Sequence, residues 1–271
     1  MGFWKKRGIS TLLADLHNHS CLSPCGSLEL SPRKLVEIAS DKDIEILALT
    51  DHNSSLNCPA FKKVCFKYNI IPIFGMEATT SEEIHVLCLW TNLEASLAFS
   101  DYAYSVILPF PNDPVKTGDQ VYVDEDDYII GEAEYYLVNP LIFSIDTIGP
   151  KVAEYGGIVI PAHVDRPAFS MTSQLGVVVS GPWEAIECVR IPPLAGPAQP
   201  LDTLGYPLIV SSDAHYVEHV GRRSFNLDIS PEELQPGGPG TEADMEAFRL
   251  SLSRRFRHLK PSGAFGVSSY G

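Results

Sequence analysis

Two histidines close an apolar run near the start of this chain, Leu12-Leu13-Ala14-Asp15-Leu16-His17-Asn18-His19. Residues two apart on a strand point to one face, so His17 and His19 can reach a common metal ion. A lone His-x-His is also an ordinary polar strand end, and by itself it decides little. The same event recurs along the chain, however. Apolar runs end in Asp51-His52, in Glu77, in His163 and in Asp213-Ala214-His215, and another begins with His85. Imidazole suits zinc, iron and manganese, and a carboxylate can bridge two cations. The set His17, His19, His52, Glu77, His85, His163, Asp213 and His215 holds six histidines and two carboxylates, too many for one tetrahedral ion. It fits a cluster of two or three divalent transition-metal ions, zinc, manganese or iron.

The elements that must position these groups alternate between strand and helix. Strands are expected over 12–19, 44–50, 70–77, 85–90, 158–163, 185–190 and 207–215. Helices are expected over about 58–68, 144–155 and 243–256, and one starts at Ser31-Pro32, with Ser at the N-cap and Pro at N1. Gly156-Gly157 reads as a helix C-cap. Only seven residues separate Glu77 from His85, too few for a crossover helix, so an antiparallel hairpin is expected there. A turn centred on Ser81 would set Glu77 directly opposite His85. Residues 92–143 break the rhythm, with a helix over 92–107, a loop over 109–118 and a hairpin whose turn is Asp124-Glu125-Asp126-Asp127. That acidic turn reads as solvated. The whole chain, 1–271, is read as a single domain: an α/β fold, a (β/α)7 barrel with an insertion at about 92–143 after strand four. Catalytic groups of such barrels gather at the C-terminal ends of the strands.

Composition sets the bounds. The chain has 271 residues, 45% of them apolar, and mean hydropathy near zero, enough for one sizeable core. No apolar stretch approaches the ~20 residues that span a bilayer, and the basic start lacks the apolar core of a signal peptide. Six cysteines without Cys-x-x-Cys spacing point to a reducing cytoplasm. A net charge of −14 argues against broad binding to duplex nucleic acid, but not against one phosphorylated substrate whose local field is reversed by bound cations.

The ordered set His-x-His, Asp-His, Glu, His, His and Asp-x-His resembles the PHP (polymerase and histidinol phosphatase) family, over a span from Asp15 to His215. The resemblance implies a distorted seven-stranded barrel and metal-dependent phosphoester hydrolysis by a metal-activated hydroxide at a bi- or trinuclear centre. It further implies that His17, His19 and Asp213 hold a first metal and that Glu77 bridges it to a second. His85 and His163 would complete the second, and His52 and His215 would hold a third. Glu77, Asp213 and His215 are the catalytic candidates. Family members usually carry Asp or His five or six residues after His-x-His, where this chain has Pro24 and Cys25. Cys25 is read either as a thiolate ligand or as a free buried cysteine, with a Cys21–Cys25 disulfide the remaining alternative.

Arg166, Arg190 and Arg222, with the adjacent Arg223, are well placed for bidentate contact with phosphate. Asp165 and His219 are candidate general acids, and Asn53-Ser54-Ser55 are read as pocket lining. The first reading is a phosphoesterase acting on a small phosphorylated metabolite or nucleotide, with no membrane partner. The alternatives are a nuclease trimming single-stranded ends, a non-catalytic metal-binding regulatory module and an amide-hydrolysing enzyme.

Overall fold

The computed structural model describes residues 11–191, 193 and 199–254. The basic lead-in, the last residues of the helix expected over 243–256 and the Gly/Ser-rich end lie outside the described residues.

Ten strands form three sheets among the described residues, in place of seven equivalent barrel strands. They are β1 (Leu12–Asp15), β2 (Ile46–Leu49), β3 (Ile71–Thr79), β4 (His85–Trp90), β5 (Val121–Val123), β6 (Ile129–Glu132), β7 (Ile158–Pro161), β8 (Ile186–Glu187), β9 (Leu208–Ile209) and β10 (Phe225–Leu227). The main sheet runs β10-β1-β2-β3-β4-β7, parallel from β1 to β3 and antiparallel elsewhere. β8 and β9 pair in parallel apart from it. Isolated parallel bridges, Val159 to Trp183 and Asn18 to Ala214, tie this pair to both sides of the curled main sheet. The result is an α/β fold with a half-barrel sheet.

Among the described residues eight α-helices flank it: α1 (Pro32–Asp41), α2 (Cys58–Tyr68), α3 (Leu93–Ser105), α4 (Pro114–Thr117), α5 (Ile145–Glu154), α6 (Met171–Leu175), α7 (Pro231–Leu234) and α8 (Met245–Arg254). α1 begins as its residues demand, with the Ser31 hydroxyl accepting from the Lys34 amide and Pro32 at a position whose N–H would be unpaired anyway. β2 is buried along its whole length, as a strand covered on both faces should be. Leu47 and Leu49 pack toward α1 and α2, beside Leu35, Phe61 and Val64. Ile46 and Ala48 pack with Leu12, Ala14, Ile73 and Leu87 on the other face. A further cluster seats Trp90, Phe99, Ile148 and Val152 between β4, α3 and α5.

Several expectations need correction. The β3–β4 hairpin is antiparallel, but its register pairs Thr79 with His85 and Glu77 with Leu87. The turn centres two-thirds of the way along the link, at Glu82, because Thr80 accepts from Ile84 through its side chain and Glu83 takes a left-handed backbone. Glu77 and His85 are therefore diagonal neighbours on one face, still within side-chain reach. The strands expected over 185–190 and 207–215 shrink to two residues each, since Val189 N donates to Asp165 and Asp213 adopts a φ of 47°. The stretch expected as loop over 109–118 contains α4, opened by Pro114. β10 was not expected; three residues after a turn carry too little periodicity to announce a strand. The acidic turn is held by basic side chains, with Arg33 bonding the Glu125 carbonyl and Asp126, and Lys63 the Glu125 carboxylate at 2.9 Å.

Candidate metal centre

The chain topology brings the ends of β1, β2, β7 and β9 and the β3–β4 hairpin to one rim. At its centre lies Glu77, 1% exposed. Its Oε1 is 2.8 Å from His85 Nδ1, 3.0 Å from His163 Nε2 and 3.2 Å from His17 Nε2. Its Oε2 is 3.2 Å from His52 Nδ1 and 3.4 Å from His19 Nε2. Asp213 Oδ1 faces His17 Nε2 at 3.5 Å, His19 Nε2 at 3.6 Å and His215 Nδ1 at 3.4 Å, while Oδ2 accepts from Arg166 at 2.9 Å. All eight residues of the expected set thus meet at one place. His163 and Asp213 sit at φ of 30° and 47°, left-handed backbone that side chains other than glycine adopt at a cost of order 1–3 kcal/mol. Such conformations turn the chain sharply at the strand ends and aim both side chains inward.

Among the described residues three donor groups lie close enough to hold a cation: His17 with His19 and Glu77; His52 with Glu77 and His85; His19 with His52 and His215. The site's polar bookkeeping fits such a group. Asp213 Oδ1, His85 Nε2 and His163 Nδ1 are buried without a hydrogen-bond partner, although buried polar atoms are nearly always paired. The His17 and His19 Nε2 atoms stand 3.2 Å apart, converging on one point.

Electrostatics divides the imidazoles. Burial opposes a charge on His17, yet the carboxylates of Glu187, Glu77 and Asp213 outweigh it and raise its pKa well above the ordinary value. Burial likewise opposes His19, and Asp213 and Glu77 raise it. Burial and the neighbouring His19 push His52 well down and His215 down to about 3, and burial lowers His85. Glu77 is held well below the usual carboxylate range, since His85, His17 and His163 prevail over its burial. Three imidazoles therefore keep a lone pair for a cation at neutral pH.

Cys25 and Cys21 are both free, so no disulfide joins them. Contrary to the buried reading, Cys25 is an exposed residue, though its Sγ turns in to 3.2 Å from His52 Nε2. Burial of the thiol, with Glu77 and Asp213 adding to it, pushes its pKa up to about 12.

Sequence reasoning missed Glu187. Its Oε2 accepts from His17 Nδ1 and from the His163 amide, both at 2.9 Å. The only signal was a carboxylate inside an otherwise apolar run, Ala185-Ile186-Glu187-Cys188-Val189. Asp51, noted as half of Asp51-His52, accepts from Ser20 and Ser23, and Ser23 contacts His19 Nδ1 at 2.9 Å. Asn53 does not line the cavity. Its amide donates to the Leu137 and Asn139 carbonyls and its oxygen accepts from the Thr79 amide, fastening residues 137–139 to the end of β3. Ser55 is likewise structural, donating to the Gly75 carbonyl.

A cavity of about 450 Å³ opens over the cluster, walled by Tyr136, Val138, Phe169, His219 and Arg222 as well as ligand candidates. Phe169 stacks on His85 at 4.7 Å between ring centres. His219 lies on this wall, whereas Asp165 lines the neighbouring cavity beside Arg190 and Arg223.

Residues 15–123 match the family model of the PHP domain. An uncharacterised protein of Methanocaldococcus jannaschii is 29% identical over 128 residues, 40% of this chain and 74% of that one. The lesion-specific endonuclease Q of Pyrococcus furiosus superposes with a TM-score of 0.53 at 16% identity, over 82% of this chain and 53% of that one. An endonuclease Q bound to a 27-mer duplex with an abasic lesion gives 0.57 at 16% identity, over 90% and 57%. A proposed metal-dependent phosphoesterase of Bifidobacterium adolescentis gives 0.50 at 18% identity, over 89% and 96%. This chain thus spans little more than half the length of the endonucleases, and the likeness to all three is one of fold. No helix among the described residues is long and apolar enough to cross a membrane.

Proposed function

We propose that this chain, whose residues 15–123 match the family model of the PHP domain, is a metal-dependent hydrolase of phosphate esters whose substrate is a small metabolite or nucleotide. The observation that carries the reading is the Glu77 carboxylate within 3.4 Å of five imidazoles, with the orphaned Asp213 Oδ1 beside them. In this reading His17, His19 and Asp213 would hold one ion, His85 and His163 a second beside Glu77, and His52 and His215 a third with the Cys25 thiol alongside. Divalent ions held there supply Lewis acidity toward phosphoryl oxygens and a water nucleophile at neutral pH.

The remaining work falls to the cavity wall. Arg166 and Arg222 present guanidinium donors that orient a phosphoryl group and stabilise charge developing on its oxygens. Tyr136 and Phe169 exclude water and cover the ester's organic part. Of the two candidate acids only His219 lines this cavity, and it holds the proton that the leaving group takes up. Hydrolysis of nucleic acid is the second reading. Four arginines near the site favour it, and the net charge of −14 weighs against a long strand.

Elemental analysis of the purified protein, paired with phosphate release from mononucleotides, sugar phosphates and nucleoside bisphosphates, tests the proposal. About two to three equivalents of transition metal are expected, with release lost in His17→Ala. Full metal occupancy without turnover of any phosphoester would refute the substrate class. No metal uptake after reconstitution would refute the centre itself.

A further inference from the structure

A second cavity of about 370 Å³ adjoins the first, and its chemistry differs. Arg166, Arg190, Arg222 and Arg223 line it, four of the ten arginines in a chain of net charge −14. Their carboxylate neighbours there are Asp165 and Asp213, and both are engaged. Asp165 Oδ1 accepts from the Val189 amide at 2.6 Å, and Asp213 Oδ2 accepts from Arg166 at 2.9 Å.

Two of the guanidiniums are anchored by main-chain carbonyls. Arg222 Nε donates to Ser212 O at 2.7 Å, and Arg223 Nη1 donates to Val189 O at 2.9 Å. A carbonyl fixes a guanidinium without neutralising it, so the charge stays available to a ligand. Arg223 Nε is buried with no partner, and Arg190 is exposed on the cavity's rim. Four guanidiniums against two carboxylates, Asp165 and Asp213, leave an excess of positive charge that an anion would share, and planar forked donors match phosphate oxygens bidentately. Arg166, Arg222 and Asp213 belong to both cavity walls, so an anion in the second lies across one shared wall from the cluster.

We propose that this arginine-lined cavity is a subsite for a second phosphoryl group, so that the preferred substrate carries two phosphates, one hydrolysed at the cluster and one held here. The inference rests on the phosphoester reading for the first phosphate, while the subsite itself stands on the arginine geometry. The second phosphate can belong to a small bisphosphate or to the next linkage of a short nucleic-acid strand. The recognising chemistry is the same.

Two measurements decide it. The first needs no turnover: inorganic phosphate is titrated calorimetrically into metal-free protein, wild type and Arg190→Ala. Wild type is expected to bind it, with at least fivefold weaker binding in the variant and in raised salt. Equal binding by the two proteins, or none by wild type, overturns the subsite. The second measures kcat/KM in the metal-loaded enzyme for fructose 6-phosphate, fructose 1,6-bisphosphate, and a dinucleotide with and without a 5′-phosphate. A preference of at least tenfold for the doubly phosphorylated member of either pair is expected, shrinking severalfold in Arg190→Ala. Which pair shows it identifies the source of the second phosphate. Equal losses on singly and doubly phosphorylated substrates overturn the proposal. Loss of all phosphoester turnover with phosphate binding retained would overturn the hydrolytic reading and leave the anion site standing.

Discussion

Replacing Glu187 is the sharpest probe of how the centre is held. One buried oxygen, Oε2, accepts from His17 Nδ1 and from the His163 amide, each at 2.9 Å, and so fixes the ring of one ligand candidate and the backbone of another. In Glu187→Gln the amide oxygen can take over both bonds, but the new NH2 falls where Oε1 has no partner. An unpaired buried donor costs about 1–3 kcal/mol of stability. Losing the charge behind a ligating imidazole typically costs 10–100-fold in metal affinity, about 1.4–2.7 kcal/mol. A second effect runs the other way. Glu187 helps raise the His17 pKa, so in wild type a proton must leave before a cation can bind, and in the variant that competition is relieved. The loss should therefore be large at pH 8.5 and smaller at pH 6.5. Glu187→Ala, which leaves both donors unpaired, should lose more at both. Zinc or manganese titration against a competing chelator reads the affinities, with circular dichroism confirming the fold. Wild-type affinity in both variants at both pH values would refute the claim that this carboxylate sets the ligand geometry.

Three further outcomes are expected. Metal binding should release protons held between His17 and His19, whose pKa values, despite burial, are raised above the ordinary value by Glu187, Glu77 and Asp213, so affinity rises with pH. Calorimetry in buffers of different ionisation enthalpy counts those protons, and a count of zero contradicts the electrostatic picture. Burial raises Asp15 from 3.8 to about 6, so the folded state holds this proton to higher pH than the unfolded chain does. The stability difference between metal-free wild type and Asp15→Asn should then shift by about 3 kcal/mol against wild type as pH rises from about 4, and level off above about 6. Asp15→Asn keeps an oxygen that can still accept from the Ser212 amide; urea melts read the difference, and parallel curves for the two proteins would exclude it. Finally, His219→Ala should slow an alkyl phosphate by about 10²-fold while sparing p-nitrophenyl phosphate, whose leaving group needs no proton. Equal slowing of both esters would remove His219 from the acid role.

The positions of the ligand candidates were legible because each lies at an end of an apolar run, and a run that must be buried on both faces leaves little freedom about where it ends. β4 was legible to the residue for the same reason, and α2 because its apolar face and Pro59 in its first turn mark a helix. What escaped were quantities that depend on the partner. Hairpin register moved by two residues because the turn's own hydrogen bonds decide where it folds, and period-two patterning is blind to a shift of two. Strands β8 and β9 are short because their continuations bend into the site. Glu187 resembles any other strand residue until the fold sets His17 against it. Asn53, a polar residue beside a ligand, looked like pocket lining and proved to be a fastener for a distant loop.

The pairing of Glu187 with His17 has a consequence for how the protein comes into being. The two residues are 170 positions apart, and the neighbouring bond from Ser212 to Asp15 spans 197. A chain emerging from the ribosome at roughly 5–20 residues per second carries His17 and His19 for many seconds before their partners exist. While the chain is still emerging, the centre is unavailable as a nucleus around which folding starts. During synthesis it closes only after both ends of the chain are present, and a cation that engages the early histidines alone holds an open chain. Because closing so long a loop removes much freedom from the unfolded chain, the same centre, once closed, makes opening either end of the sheet an event that the whole molecule must share.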